Sequence, residues 1–290
     1  MGSNWEYWRW SETKFVDESL DWRKADVVTC GIDLGSVSTK VVVCLDGELY
    51  AYSILRTGVS GPDSASKAFA IIESITGLTI KECHYVVATG YGRVNVPFAN
   101  RSVTEISCHG MGAHFLGGNR VRTILDMGGQ DCKAIHIDEY GKVTNFLMND
   151  KCAAGTGRGM EVLADLLEVP IEEIGPRSFD IDEEPEAVSN VCVVYARTEA
   201  IGLLKKGWSK NKVLAAYCRA MAERVAGLIK RIGVEPEFFV TGGISKNIGV
   251  VKRIERIIGL EALKSSVDTQ IAGALGAALF ARKLYEKVSK

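Results

Sequence analysis

The sequence lacks several features that would settle its class at once. It has no Cys-x-x-Cys pair, and the nearest two of its 8 cysteines are Cys30 and Cys44. A zinc knuckle or thioredoxin-type motif is therefore excluded, and a metal site must be assembled from distant residues or shared between chains. No apolar run approaches the length of about 18 residues needed to span a bilayer. The first residues are polar and aromatic, without the basic-then-apolar layout of a signal peptide. The sequence thus reads as cytoplasmic, with no membrane partner, and its thiols as reduced rather than paired in disulfides. Charge of one sign is also missing: 35 basic and 36 acidic side chains leave a net charge of −1. That balance provides no electrostatic footprint for nucleic acid. Neither a Gly-x4-Gly-Lys-Ser/Thr loop nor a Gly-x-Gly-x-x-Gly fingerprint occurs, which removes the two commonest nucleotide signatures.

What is present is a repeated device. An apolar strand runs into a glycine turn three times: at Asp33-Leu34-Gly35, at Asp126-Met127-Gly128-Gly129 and at Thr241-Gly242-Gly243. Such turns aim backbone N–H groups at an anion with no Cβ in the way. Asp33 and Asp126, at strand ends beside glycine, suit a Mg2+ held through few carboxylates and several waters. Between the turns lie a predicted hairpin around Asp46-Gly47, a helix over 64–76, a strand over 85–90 and a helix over 212–232 closed by Gly233. A small-residue helix follows over 272–278. The pattern predicts an α/β protein of two lobes. Lobe I spans 26–115 and is completed by the C-terminal helix 272–290; lobe II spans 116–271.

Residues 1–25 stand apart in composition, holding Trp5, Trp8, Trp10 and Trp22, with only Trp208 elsewhere. Two readings remain open. The segment either caps its own domain or forms a docking arm whose aromatic anchors fill a partner's pockets.

A third feature is the stretch "NDKCAAGTGRGME", residues 149–161. Glycines crowd a helix start there, beside a cysteine that nucleotide chemistry does not need. Cys152 and Cys192 each precede a predicted helix, where the unsatisfied N–H groups stabilise a thiolate. The other cysteines read as small core residues, with Cys132 ambiguous because it adjoins Gln130-Asp131. His84, His109, His114 and His136 show no ligand spacing and read as structural or surface residues.

Taken jointly, "GIDLGSVSTK", "DMGGQDCKAI" and "VTGGISKN" resemble the two phosphate segments and the adenosine segment of the actin, sugar-kinase and heat-shock-chaperone ATPase superfamily. The resemblance covers nearly all of residues 27–285 and implies its ribonuclease H-like, two-lobed fold behind an N-terminal extension. Within it, "NDKCAAGTGRGMEV", "TGYGR" and "GGQD" are similar to one branch: the activator ATPases of 2-hydroxyacyl-CoA dehydratases and the ATPase subunits of benzoyl-CoA reductase.

The resemblance implies ATP, Mg2+ and a [4Fe–4S] cluster shared between two subunits. Cys152 and Cys192 of each chain would hold the cluster. Asp33 and Asp126 would bind Mg2+ through water, and Gln130 would position the attacking water. Gly35, Ser36, Gly128 and Gly129 would contact phosphates, with Gly155 and Gly157 in the second glycine loop. Gly242 and Gly243 would lie by the adenosine. Lys40 and Lys133 read either as phosphate-facing cations or as surface lysines. Glu161 reads either as a ribose acceptor or as a helix first-turn acid.

The implied partners are a related ATPase subunit, in a homo- or heterodimer, substrate-reducing iron–sulfur subunits, and a low-potential donor such as ferredoxin. The aromatic extension and the run "VCVVYARTEAIGLL" favour the benzoyl-CoA reductase subunit of D type. A homodimeric dehydratase activator is the alternative, and a small-molecule kinase of the same fold a further one.

Overall fold

The computed structural model describes residues 6–149, 156–188 and 193–289. In chain order the elements begin with β1 (Thr13–Val16), β2 (Val28–Leu34), β3 (Ser38–Leu45), β4 (Glu48–Arg56), α1 (Gly61–Thr76), β5 (Tyr85–Thr89), β6 (Arg101–Ser102) and α2 (Glu105–Gly117). β7 (Thr123–Met127), β8 (Cys132–Ile137) and β9 (Val143–Met148) follow, then α3 (Gly157–Leu167), α4 (Ile174–Arg177), α5 (Val193–Lys205) and α6 (Lys210–Ile232). β10 (Phe238–Thr241), α7 (Ile248–Ile258) and α8 (Ala272–Val288) complete the chain.

The chain forms two compact units. The first comprises Glu12–Arg122, His136–Thr144 and Lys264–Lys290; the second comprises the described part of Met1–Ser11, Thr123–Ile135 and Asn145–Leu263. Relative to the sequence division, residues 12–25, 116–122, 136–144 and 264–271 fall in the first unit, and 6–11 in the second.

The first unit is built on a six-stranded sheet in the order β1-β4-β3-β2-β5-β6. β2 is central and buried along its whole length, so it reads as a continuous apolar run rather than an alternating one. The β3–β4 hairpin turns on Asp46 and Gly47, at φ 52° and 93°, the positive pair that a two-residue hairpin turn requires. α1 starts at the Ser60 cap, whose side chain accepts from the Asp63 N–H, and ends at Gly77 in the left-handed region. α8 lies against β2 at backbone distance. A Cβ on Gly31 would fall 2.0 Å from the Ala274 carbonyl oxygen, and one on Gly276 would fall 1.8 Å from that of Cys108 in α2.

The second unit carries a four-stranded sheet in the order β10-β7-β8-β9, with β10 and β7 parallel and Thr241 in register with Asp126. Its core gathers Leu125, Met127, Met160, Leu163, Tyr217, Met221 and Phe238. α6 opens at the Ser209 cap and is followed by Gly233, as its apolar spacing predicts.

The aromatic N-terminal residues pack on their own chain. Tyr7 and Trp8 lie against the second unit's core, and the Tyr7 carbonyl accepts from the Ile171 N–H at 2.9 Å. Within the first unit, β1 pairs with β4, and the Trp22 indole donates to the Thr76 carbonyl at 3.1 Å. These contacts are those the capping alternative expects of the described residues.

Candidate functional site

In the first unit, β2 delivers Asp33 to the sheet's end, where it is 3% exposed. The antiparallel register sets Lys40 directly across from it, and the Lys40 ammonium donates to Asp33 Oδ2 at 2.9 Å. Lys40 is thus neither a surface lysine nor one directed solely at a ligand. Gly35 closes a tight turn: its N–H donates to the Ser38 carbonyl at 3.1 Å, while its own carbonyl accepts from the Thr57 hydroxyl at 2.8 Å. Ser36, beside it, is exposed. Two further glycines make room for Asp33. Gly90 has φ +84°, and a Cβ there would sit 2.3 Å from Asp33 Oδ1. A Cβ on Gly273 would sit 3.0 Å from Asp33 Oδ2 and 3.0 Å from His109 Nε2.

The second unit repeats the arrangement. Asp126 lies one residue before the end of β7, at 2% exposure. Lys133, on β8, lies seven residues on, the same separation as from Asp33 to Lys40. Its ammonium stands 3.4 Å from Asp126 Oδ2 and 2.6 Å from Asp131 Oδ1. The Thr241 hydroxyl, from β10, donates to Asp126 Oδ1 at 3.0 Å. Gly242 follows at φ +84°, where a Cβ would meet the Met127 carbonyl oxygen at 2.3 Å and Asp126 Oδ1 at 2.9 Å. Gly243, next to it, is exposed.

The turn after Asp126 is seated on the start of α3. The Gly157 N–H donates to the Gly128 carbonyl and the Arg158 N–H to the Gly129 carbonyl, both at 3.0 Å. Two of the N–H groups that a helix start leaves unsatisfied are therefore used inside the protein. Gly157 serves close packing, since a Cβ there would lie 3.2 Å from Gly129 Cα. Glu161 is buried, and its carboxylate accepts from the Arg158 guanidinium at 2.7 Å. Gln130, at the head of the turn, is exposed. Asn149 clasps β8 reciprocally: its side-chain oxygen accepts from the Cys132 N–H at 2.7 Å, and its own N–H donates to the Cys132 carbonyl at 3.1 Å. Cys152, Cys192 and Gly155 lie outside the described residues.

Cys30, Cys44, Cys108, Cys132 and Cys218 are fully buried core thiols, while Cys83 is half-buried. Burial pushes Cys44, Cys108 and Cys132 up to about 12 and Cys218 up to about 11, and holds Cys30 well above the usual range. At neutral pH these buried sulfurs keep their protons. Cys132 is fully buried among them. Of the four histidines, His84 accepts from the Val28 N–H and His114 meets the Glu139 carbonyl, while His109 and His136 are buried.

Sequence reasoning gave no role to Thr241, Asp131 or Gly273. Thr241 and Asp131 lie within recognised motifs, but strand register and loop geometry decide what they touch. Gly273 sits in a small-residue helix whose composition reads only as close packing.

The BadF/BadG/BcrA/BcrD ATPase family description matches residues 30–281. The chain belongs to that family. Its fold is accordingly that of the actin-like ATPases, and ATP is the nucleotide of this BadF/BadG/BcrA/BcrD-type ATPase. The (R)-2-hydroxyglutaryl-CoA dehydratase activating ATPase of Acidaminococcus fermentans is 42% identical over 273 residues, covering 91% of this chain and 99% of that protein. A solved structure, the activator of the 2-hydroxyisocaproyl-CoA dehydratase from Clostridium difficile with bound ADPNP, matches with TM-score 0.85 and 37% identity, covering 91% of this chain and 97% of that one. The D-type subunit of benzoyl-CoA reductase from Thauera aromatica is 30% identical over 273 residues, covering 91% of this chain and 96% of that protein. The dehydratase activators are thus more similar to this chain than the reductase subunit is, which favours the activator alternative over the reductase preference. Among the described residues no helix is long and apolar enough to cross a membrane.

Proposed function

We propose that this chain is an ATP-hydrolysing activator of a 2-hydroxyacyl-CoA dehydratase. Two copies would share one [4Fe–4S] cluster and pass single low-potential electrons to the dehydratase. The observation that carries the reading is the 42% identity to a dehydratase-activating ATPase over 99% of that protein's length. The nearly coextensive match to an ADPNP-bound activator supports it.

The residues fit the nucleotide part of this chemistry. Asp33 and Asp126 are buried carboxylates near strand ends, each beside a tight glycine turn. Mg2+, when bound, neutralises charge on the transferring phosphoryl group. Asp33 and Asp126 would hold it through water. Gly35, Ser36, Gly128 and Gly129 would meet the phosphates, Gly242 and Gly243 the adenosine, and the exposed Gln130 would orient the attacking water. Glu161, paired with Arg158, would accept from the ribose. Cys152 and Cys192 would anchor the cluster, two sulfurs from each copy, and a donor such as ferredoxin would load it in the cytoplasm. The cluster, when bound, supplies a one-electron store. ATP binding and turnover would alter its surroundings and favour forward transfer, as a coupling between two sites.

The test is anaerobic purification followed by three readouts: the visible spectrum, ATP hydrolysis, and ATP-dependent activation of a purified 2-hydroxyacyl-CoA dehydratase. The wild-type chain should be brown, with absorbance near about 400 nm, and should activate the dehydratase only with ATP. Cys152→Ser or Cys192→Ser should remove the colour and the activation while ADP binding persists. A colourless wild-type protein that phosphorylates a small molecule would overturn the reading.

A further inference from the structure

The motif "TGYGR", Thr89 to Arg93, has no part in the chemistry proposed above. Strand register shows where it lies. β5 runs parallel to β2 with Thr89 opposite Asp33, so the chain beyond Thr89 leaves the sheet at the end where Asp33-Leu34-Gly35 turns. Ligands of open α/β sheets gather outside the carboxyl ends of such parallel strands. The loop is braced there. The Gly92 N–H donates to the Leu34 carbonyl at 2.8 Å, and the Asn95 N–H donates to the Gly92 carbonyl at 2.8 Å. A Cβ on Gly92 would lie 2.7 Å from Leu34 Cγ, and Val96 anchors the far side in the core. Arg93 therefore emerges from a fixed turn beside the glycine turn of Asp33.

Its side chain folds back on that turn. Arg93 Nη1 donates to the Gly90 carbonyl at 3.1 Å, and Gly90 is the residue whose missing Cβ makes room for Asp33 Oδ1. The Cys108 thiol, raised to about 12 chiefly by burial, feels the negative charges of Asp33 and Glu105 and the positive charge of Arg93. The guanidinium thus acts in the same neighbourhood as Asp33. It carries five N–H donors, and among the described residues no carboxylate bonds it. Lys40, by contrast, gives its ammonium to Asp33.

We propose that Arg93 is a phosphate-binding residue: its guanidinium, steadied by the Gly90 carbonyl, meets the nucleotide's phosphates beside the Asp33-Leu34-Gly35 turn. This role rests on the ATPase reading above and adds to it a cation in the first unit that is not already engaged by Asp33. A planar fork of N–H groups takes phosphate oxygens two at a time, which an ammonium does not. Glu105 is the acid that competes for it; a mere counter-ion of Glu105 would serve stability and not phosphate affinity.

The experiment uses the full chain, with ADP and adenosine as ligands and calorimetry as the readout. Arg93→Ala should weaken ADP binding on the order of tenfold and leave adenosine binding at its wild-type strength, with a native circular dichroism spectrum. It should also flatten the dependence of ADP affinity on salt, because one contact between charges is gone. Arg93→Lys, which keeps the charge and loses the fork, should recover only part of the ADP affinity. The proposal is overturned if Arg93→Ala binds ADP as the wild type does, or if ADP and adenosine weaken equally, which would mark a distorted fold rather than a lost phosphate contact. A wild type that binds neither ligand overturns the ATPase reading itself. Failure of the Arg93 assignment alone is recognised by normal ADP binding in the wild type together with an unaffected Arg93→Ala.

Discussion

Gly90 and Gly273 carry no chemistry of their own, yet they decide where Asp33 sits. Gly90 occupies a left-handed conformation, and a methyl group there would enter the space of the Asp33 carboxylate. Gly90→Ala combines a backbone cost of about 1–2 kcal/mol with displacement of that carboxylate. ATP turnover should fall at least about tenfold while the circular dichroism spectrum stays native; unchanged turnover would show that Asp33 tolerates the shift. The interior thiols lead to a pH prediction. Cys44, Cys108 and Cys132 sit near 12 and Cys218 near 11, raised by burial above the value of 9.0 for an unburied thiol. The unfolded chain therefore ionises first as pH climbs. The stability these neutral thiols contribute is complete below pH 9 and is lost as pH rises through 11 to 12. Urea midpoints measured across that interval should fall, and native protein at pH 8 should react with maleimide at none of these four positions.

Among the elements, α8 is the one whose composition is explained only by its neighbours. Its Gly276 faces the Cys108 carbonyl of α2, and on α2 a Cβ at Gly112 would lie 1.9 Å from the carbonyl of Ala272. Helix and helix, and helix and strand β2, meet at main-chain distance. Gly276→Ala should cost about 1–3 kcal/mol through overpacking, read as a lower thermal midpoint; a midpoint equal to the wild type would mean the contact can open without penalty. Much of the element layout was legible beforehand. The apolar runs ending in Asp33-Leu34-Gly35 and Asp126-Met127-Gly128-Gly129 name their own strands and turns, and the spacing from Leu214 to Ile232 names α6. What stayed hidden were side-chain pairings set by register across separate elements. Nothing local in Thr241 says that its hydroxyl meets Asp126, and nothing in Asp131 says that it takes Lys133.

For the molecule as a whole, the aromatic first 25 residues invited two opposite readings, because a tryptophan that fills its own domain and one that fills a partner look alike in sequence. Tyr7, Trp8 and Trp22 make contacts within their own chain, as the capping reading expects. Deleting residues 2–24 should therefore lower the thermal midpoint by several degrees, with Trp22→Phe alone costing about 0.5–1.5 kcal/mol for the lost hydrogen bond. A deletion variant as stable as the parent would return the segment to the role of a free arm. The preference for a reductase component leaned on that same extension, and the higher identities to activators weigh towards the alternative.

An acid closing one strand and an amine seven positions later on the next occur twice, at Asp33 with Lys40 and at Asp126 with Lys133. Each half is then the natural control for the other: a change made to one acid–amine pair can be read against the pair left intact in the same molecule.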